Sequence, residues 1–382
     1  MRSIAVIFGG KSTEHDVSII TAIASVIKPL ELTKQYKVEA VYISKDGSWF
    51  WDERLKDVKL YQSGEIDDFM RKAPKVHLLF DNGLTLVKSS QFAGRKMYKK
   101  IDLVFPAMHG TYGEDGELTG LLEMANVPYV GCGVSAGAVA MDKVLAKMVT
   151  RSAGIDSPKW LSLFSKDISP KDVKIISKEL KYPLFVKPAH MGSSVGISRV
   201  EKESELMNAL EVAVHYDDRI IVEEAVGNLV EVTLPIIGND EPRPALLEQP
   251  LTKPEDFFDF DTKYMQGGKK GKGAKGSQGY SKIPADLPKD LYDKAVQTGL
   301  AVYTALGCSG IARVDMLIDS KKKQIYFNEV NPLPGGLYAH NWAKAGLSNV
   351  ELVQRLVNLA QERWEARQKL TTSFSTNYLK QF

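Results

Sequence analysis

Apolar and polar positions fall in blocks along the chain. Ile4 to Phe8 is a wholly apolar run, Gly9-Gly10 breaks it, and apolar residues then recur at helical spacing from about Val17 to Leu30 before a second run, Val38 to Ile43. Run, turn, period near 3.6 and run again predict a βαβ unit. Residues 44–100 mix turn signals such as Lys45-Asp46-Gly47 with short alternating stretches, and Ile101 to Pro106 reads as the next buried strand. A short helix is expected from Gly120, a longer one from Val134 to Thr150, and strands at Ile155 to Phe164 and Tyr182 to Lys187. Ile220 to Glu224 is a strand ending in acids, and Asp290 to Leu306 is a helix. Two strands, Ile311 to Ile318 and Gln324 to Asn331, are joined by Asp319-Ser320-Lys321-Lys322-Lys323, and a helix from Val350 to Leu370 follows. Between Tyr264 and Ile283 glycine and lysine are too frequent for packing, so a mobile loop is expected there. The fold class is α/β, without an internal repeat.

Length adds domain organisation. A chain of 382 residues exceeds what one core ordinarily supports and suits two or three subdomains. The pattern changes near Gly110 and near Tyr182, which divides the chain into 1–110, 111–182 and 183–382, with the loop at 264–283 in the last. Hydrophobic content of 44%, charged content of 25% and a net charge of +3 give no sign of nucleic acid or an anionic membrane as partner. The two cysteines, Cys132 and Cys308, support neither a disulfide framework nor a Cys-rich metal site, and a reducing cytoplasm fits best. The first apolar run meets polar Lys11 to Asp16 at once, unlike a signal peptide, and no stretch approaches the roughly 18 apolar residues of a membrane span.

Three short motifs suggest chemistry and fail on context. Gly9-Gly10-Lys11-Ser12 resembles the end of a phosphate-binding P-loop, but Ala5 stands where that motif needs its first glycine. Gly131-Cys132-Gly133-Val134-Ser135-Ala136 fits a dinucleotide fingerprint, yet no second strand ending in an acid follows. Gly192-Ser193-Ser194-Val195-Gly196 fits the nucleophile elbow of hydrolases, whereas Ile197 to Val200 continues as a strand and makes this a hairpin loop. A glycine and serine loop preceded by Lys187 better suits backbone N–H groups wrapping a phosphate.

The late pair of strands is more informative. Folded back as a hairpin, it brings Asp315 close to Glu329, and Glu329 and Asn331, two apart, share a face. Hard oxygen donors of this kind suit Mg²⁺ with nucleotide phosphates, the bland alternative being a solvated face with unconnected charges. Lys143, projecting from a helix, and Lys187, at the end of a strand, could each neutralise a phosphate, although either alone is ordinary for a surface lysine. Glu223-Glu224 suits an adenine amine and ribose hydroxyls.

In order along nearly the whole chain stand Gly9-Gly10 with Glu14 and Ser18, His109-Gly110 with Gly113-Glu114-Asp115-Gly116, Gly131-Cys132-Gly133-Val134 and Met141-Asp142-Lys143. Lys187-Pro188 with Gly192 to Gly196, Lys263-Tyr264, Arg313 with Asp315, and Asn328-Glu329-Val330-Asn331 complete the series. The set resembles the D-alanine:D-alanine ligase family, and the segment with Lys45-Asp46-Gly47-Ser48-Trp49 is similar to its longer members, which include the vancomycin-resistance ligases.

The resemblance implies an ATP-grasp fold of three subdomains: an N-terminal Rossmann-like substrate domain similar to that of biotin carboxylase (1–110), then central (111–182) and C-terminal (183–382) ATP-grasp subdomains. It implies ligation of two D-alanines through a D-alanyl phosphate for peptidoglycan precursors, or of D-alanine to another acceptor such as D-serine or D-lactate. ATP and two Mg²⁺ ions, with Mn²⁺ as a substitute, small-molecule partners and a homodimer are implied too. By position, Lys143 and Lys187 would bind phosphates, Glu223 and Glu231 the adenosine, the Ser193-Ser194 loop and Lys263 the γ-phosphate, and Asp315, Glu329 and Asn331 the metals. Glu14 would orient the first ammonium, Ser193 and Tyr264 would help to activate the second amine, and Arg313 would steady the acylphosphate. The Lys263 to Lys282 loop would close as a lid. His109, Gly335 and His340 would line the substrate site. The chain departs from the family after Asn331, where a serine-bearing stretch is replaced by Pro332 to Trp342, with His340 at the expected serine position and Asn341 beside it. His340 or Asn341 is therefore expected to meet the acceptor, against a purely structural histidine packed by Tyr338 and Trp342.

Overall fold

The computed structural model describes residues 1–89, 96–251 and 281–382. The first strands are β1 (Arg2–Gly9), β2 (Tyr36–Ile43), β3 (Trp49–Trp51), β4 (Val76–Phe80), β5 (Leu84–Ser89), β6 (Lys96–Ile101) and β7 (Leu103–Pro106). They are followed by β8 (Trp160–Phe164), β9 (Leu184–Pro188), β10 (Ser198–Val200), β11 (Arg219–Glu224), β12 (Leu229–Gly238) and β13 (Arg243–Pro244). The remaining ones are β14 (Gln249–Pro250), β15 (Ser281–Lys282), β16 (Gly310–Asp319) and β17 (Gln324–Asn331).

Three four-stranded sheets carry the architecture. The first has the order β3-β2-β1-β7, with β1 parallel to both β2 and β7, so the opening segment is the expected βαβ unit. Ile4 to Phe8 are wholly buried because both faces are covered, which is why the run is apolar without alternation. One cover is the helical stretch His15–Leu32, through Ile19, Ile23, Val26 and Ile27. The same core takes in Leu352, Leu356 and Leu359 of the helix Asn349–Gln368, so the far end of the chain packs with the beginning. The strands β4, β5 and β6 form a separate antiparallel sheet in that order.

The second sheet, β10-β9-β11-β8, is antiparallel and backed by the helices Pro170–Glu179 and Glu203–Val214. The third, β13-β12-β16-β17, is antiparallel and backed by the helix Lys289–Ala305.

Several elements differ from the sequence reading. The strand expected over Ile101 to Pro106 is interrupted at Asp102, which binds back to Ser3. Only Trp160–Phe164 of the run from Ile155 is strand. The helix expected from Val134 to Thr150 is two helices, Val134–Met141 and Lys143–Ser152, broken where Asp142 takes φ −95° and ψ 105°. Its Oδ1 accepts the N–H groups of Val144 and Leu145, and this N-cap outweighs continuation of an otherwise helical run. Thr21–Ile27 is widened to π-helical geometry within the helical stretch, a feature that frequently accompanies functional sites.

Candidate active site

The hairpin β16–β17 sets Asp315 opposite Glu329 and Arg313 opposite Asn331, with a bulge after Asp315. Arg313 grips the Asp315 carboxylate with both forks, Nε to Oδ1 at 2.8 Å and Nη2 to Oδ2 at 2.5 Å. Thr233 Oγ1 donates to Asp315 Oδ1 at 2.5 Å from the neighbouring β12, and Asn331 Nδ2 donates to Oδ2 at 3.3 Å. Asp315 is buried while Glu329 is half-buried, and the bidentate guanidinium keeps a buried carboxylate compensated. Two carboxylates and an amide oxygen so held fit a magnesium ion by donor chemistry.

Opposite them is a row of cations from the helix Lys143–Ser152 and from β9. Lys143 is the first residue of that helix; its Nζ donates to Met191 O at 2.6 Å and lies 3.9 Å from Glu329. One turn on, Lys147 is almost wholly buried, 2.8 Å from Glu223 and 3.3 Å from the Phe327 carbonyl oxygen. Lys187 lies inside β9, 2.5 Å from the same Glu223 and 3.5 Å from Asn328 Oδ1. Burial alone would raise the Glu223 pKa, but the two lysines hold it at about 2. Glu223, expected to meet an adenosine, is thus engaged by two ammonium groups. Glu231 is half-buried in β12, opposite Leu317.

Between β9 and β10 runs the glycine and serine loop, with Ser193 at φ +52°, Ser194 at +61° and Gly196 at +71°. The antiparallel hairpin removes the strand-turn-helix that a nucleophile elbow requires. Ser193 Oγ donates to the Glu14 carboxylate, which joins the loop to the first sheet's domain. Burial pushes the Glu14 pKa up, against the pull of that hydrogen bond.

His109 is buried, its Nε2 2.9 Å from Thr21 Oγ1, and burial lowers its pKa to about 4, so the imidazole is neutral near pH 7. Glu114 accepts from Gly110 N at 2.7 Å and from Leu333 N at 3.1 Å, and burial raises its pKa to about 8. Thr21 also accepts the Gly336 N–H at 3.0 Å, so the π-widened turn ties His109 to the segment after β17. Gly335 precedes three successive left-handed residues, Gly336, Leu337 and Tyr338, at φ +59°, +55° and +52°. The Tyr338 ring lies 5.2 Å beneath the Arg313 guanidinium and 4.9 Å from the His340 ring. His340 Nε2 is 3.0 Å from Glu248. Asn341 is wholly buried, bonding the Leu246 backbone and Glu248, so its amide fastens the segment after β17 to residues 246–248. Lys263 and Tyr264 lie outside the described residues, as does the loop expected over 264–283 except its last three residues, 281–283.

The structure therefore gathers Lys143, Lys187, Glu223, Asp315, Glu329 and Asn331 between the second and third sheets, and Glu14, Ser193, His109 and Gly335 beside the first. Sequence reasoning missed Lys147 and Thr233, named Glu114 without a role, and named Tyr338 only as packing for His340 and not as the ring beneath Arg313. A signal for Lys147 was available: it sits four residues after Lys143, on the same face of one helix.

Two antiparallel sheets that face each other across lysines and an acidic hairpin, beside a parallel α/β unit, are the arrangement of the ATP-grasp class. Family models described as the D-ala D-ala ligase N-terminus and C-terminus match residues 3–132 and 149–358. The chain is 36% identical to the D-alanine–D-alanine ligase of Chloroherpeton thalassium, over 96% of this chain and 98% of the relative. Among solved structures, the D-alanine-D-alanine ligase from Coxiella burnetii superposes with a TM-score of 0.78 at 28% identity, covering 96% of each chain. The VanG D-Ala:D-Ser ligase from Enterococcus faecalis superposes with a TM-score of 0.78 at 32% identity, covering 94% of this chain and 99% of the other. The chain belongs to the D-alanine:D-alanine ligase family.

Proposed function

We propose that this chain ligates two D-alanines to D-alanyl-D-alanine at the expense of ATP, supplying a peptidoglycan precursor. The observation that carries the reading is the Ser193–Glu14 contact, which brings a phosphate-type loop against a carboxylate of the N-terminal unit. A group that binds phosphate is thereby within reach of one that can hold an ammonium, as passing a phosphoryl group from a nucleotide to an amino acid requires.

A carboxylate is a poor electrophile, so the first D-alanine attacks the γ-phosphorus through a carboxylate oxygen and ADP leaves. The second D-alanine then attacks the acyl carbon with its free amine, phosphate leaves, and the nitrogen loses a proton. Lys143, Lys187 and the Ser193-Ser194 backbone neutralise and orient the phosphates, with Lys263 joining them on the γ-phosphate. Glu14 orients the first ammonium, and Ser193 with Tyr264 helps to free the second amine. Arg313, fixed by Asp315 and Tyr338, points its charge to where the acyl oxygen becomes anionic. Asp315, Glu329 and Asn331 would hold Mg²⁺, two ions with Mn²⁺ as a substitute, which would offset the charge on the phosphates. Glu223 and Glu231 face the adenosine side, Glu223 chiefly by fixing Lys147 and Lys187. His109 and Gly335 line the donor side, and His340, poised by Glu248, meets the acceptor. A homodimer is part of the reading. The three units are best divided with the second ending after β11, since β8 and β9–β11 share one sheet across residue 182.

The test is phosphate release from ATP and Mg²⁺ with D-alanine, and identification of products by mass spectrometry with D-serine, D-lactate and L-alanine in competition. Dominant D-alanyl-D-alanine supports the reading. Release only with another acceptor overturns the substrate, and release with none overturns the ligase.

A further inference from the structure

His190 has no part in the reaction as described, yet it stands where two elements of the phosphate site are joined. Its ring lies between two carboxylates. Nδ1 is 3.0 Å from both oxygens of Asp217, and Nε2 is 3.4 Å from Asp142 Oδ2. The His190 backbone N–H also donates to Asp217 Oδ2 at 2.7 Å. Each ring nitrogen faces a carboxylate, an arrangement that favours the doubly protonated imidazolium. Its neighbours from each packed element are Asp142 at the helix start, Asp217 and Asp218 before β11, and Arg219, whose Nη1 holds Asp142 at 2.9 Å.

Both carboxylates have structural duties. Asp142 caps the helix that begins with Lys143, and Asp217 accepts the Arg219 N–H at the entry to β11. On the other side of His190, the Lys143 N–H donates to Ala189 O at 3.1 Å and the Lys143 ammonium to Met191 O at 2.6 Å. The residues flanking His190 therefore touch Lys143 directly, and the loop with left-handed Ser193 and Ser194 begins at Gly192. Such a backbone persists only where its surroundings over-determine it.

The geometry points to His190 as a positioning residue: its ring clamps the base of the Gly192–Gly196 loop to the Lys143 helix and to β11, holding loop and ammonium together for the phosphates of ATP. The inference rests on the nucleotide half of the proposed function and on no assumption about the acceptor.

ATP binding measured by calorimetry in the presence of Mg²⁺ and without amino acid tests it. His190→Ala is expected to weaken ATP on the order of 10-fold, as a displaced binding group does, while KM for D-alanine changes little. His190→Arg, a planar cation that can bridge two carboxylates, restores most of the affinity, and His190→Ala with Asp217→Asn costs no more than either alone. An unchanged ATP affinity in His190→Ala overturns the clamp, as does a loss that Arg fails to rescue and that falls equally on D-alanine. A wild-type affinity that rises with added Zn²⁺ overturns it too, because His190, Asp217 and Asp218 then act as metal ligands. Wild-type protein that binds ATP but ligates nothing would sink the ligase reading and leave the clamp standing.

Discussion

Lys147 and Glu223 form an ion pair of 2.8 Å in which the side chains are 1% and 3% exposed, and Lys187 shares the same carboxylate. Removing the shared partner leaves two buried ammonium groups facing each other. Glu223→Gln is therefore expected to cost about 3–5 kcal/mol of stability, and Lys147→Met less, because Lys187 still answers the carboxylate. Urea unfolding of the two variants checks the order. With Glu223 held at about 2 against an ordinary 4.5, its contribution is present above pH 4.5 and is lost as pH falls toward 2.

Arg313 grips Asp315 through two parallel bonds that a lysine cannot reproduce. Arg313→Lys is expected to lower kcat on the order of 100- to 1000-fold, the loss typical of an oxyanion donor, with KM for ATP nearly unchanged. Steady-state kinetics with ATP and D-alanine varied separately decides it; an equal rise in KM for ATP would move Arg313 from the reacting carbon to the nucleotide.

Thr233 orients Asp315 from the adjacent strand. Thr233→Val is expected to raise the Mg²⁺ concentration needed for half-maximal activity about 10- to 100-fold, as loss of an outer partner of a metal ligand does. A magnesium titration at saturating ATP reads the shift.

Gly196 has φ +71°, and a Cβ there would come within 2.7 Å of the Tyr216 ring and 2.8 Å of Pro188. Gly196→Ala is expected to weaken ATP binding and to lower the melting temperature, both by more than Gly154→Ala, where a Cβ meets nothing within 4 Å and only the left-handed φ is at stake. Calorimetric binding and thermal unfolding of the two variants make the comparison.

His190 sits between Asp142 and Asp217, whose hydrogen bonds raise its pKa to about 10 from an ordinary 6.5. A raised folded-state pKa means that the stabilising contribution is whole below pH 6.5 and disappears as pH climbs toward 10. The difference in melting temperature between wild type and His190→Gln is therefore expected to shrink steadily over that interval, and a constant difference would leave the charge of the ring without a role.

The hairpin β16–β17 was readable in the sequence because two apolar strands with a short polar turn bring Asp315 to within one residue of Glu329, while the bulge after Asp315 that sets the two directly opposite was not. The partners of Lys147 were not, since they come from β11 and β17, residues far along the chain that only the third dimension brings together. The break at Asp142 escaped for a local reason: a helical run on both sides disguises one side chain that turns to cap the second half. The place of Tyr338 beneath Arg313 escaped because nothing local predicts three left-handed residues in succession, two of them not glycine. The meeting of Ser193 with Glu14 came into view only through family resemblance, the two being 179 positions apart.

The widened turn at Thr21–Ile27 also bears on how this chain tolerates change in length. An α-helix turns about 100° per residue, so one residue removed from that turn could be absorbed only by tightening it to ordinary pitch and rotating His15–Ile20 relative to Lys28–Leu32. Ser18, which accepts the Gly9 N–H and donates to Ala107 O, would swing away from both. Thr21 could no longer reach His109 and Gly336 at once. The surplus residue is thus a phase setting between two halves of one helix, and a single-codon deletion there would break the Ser18 and Thr21 contacts together.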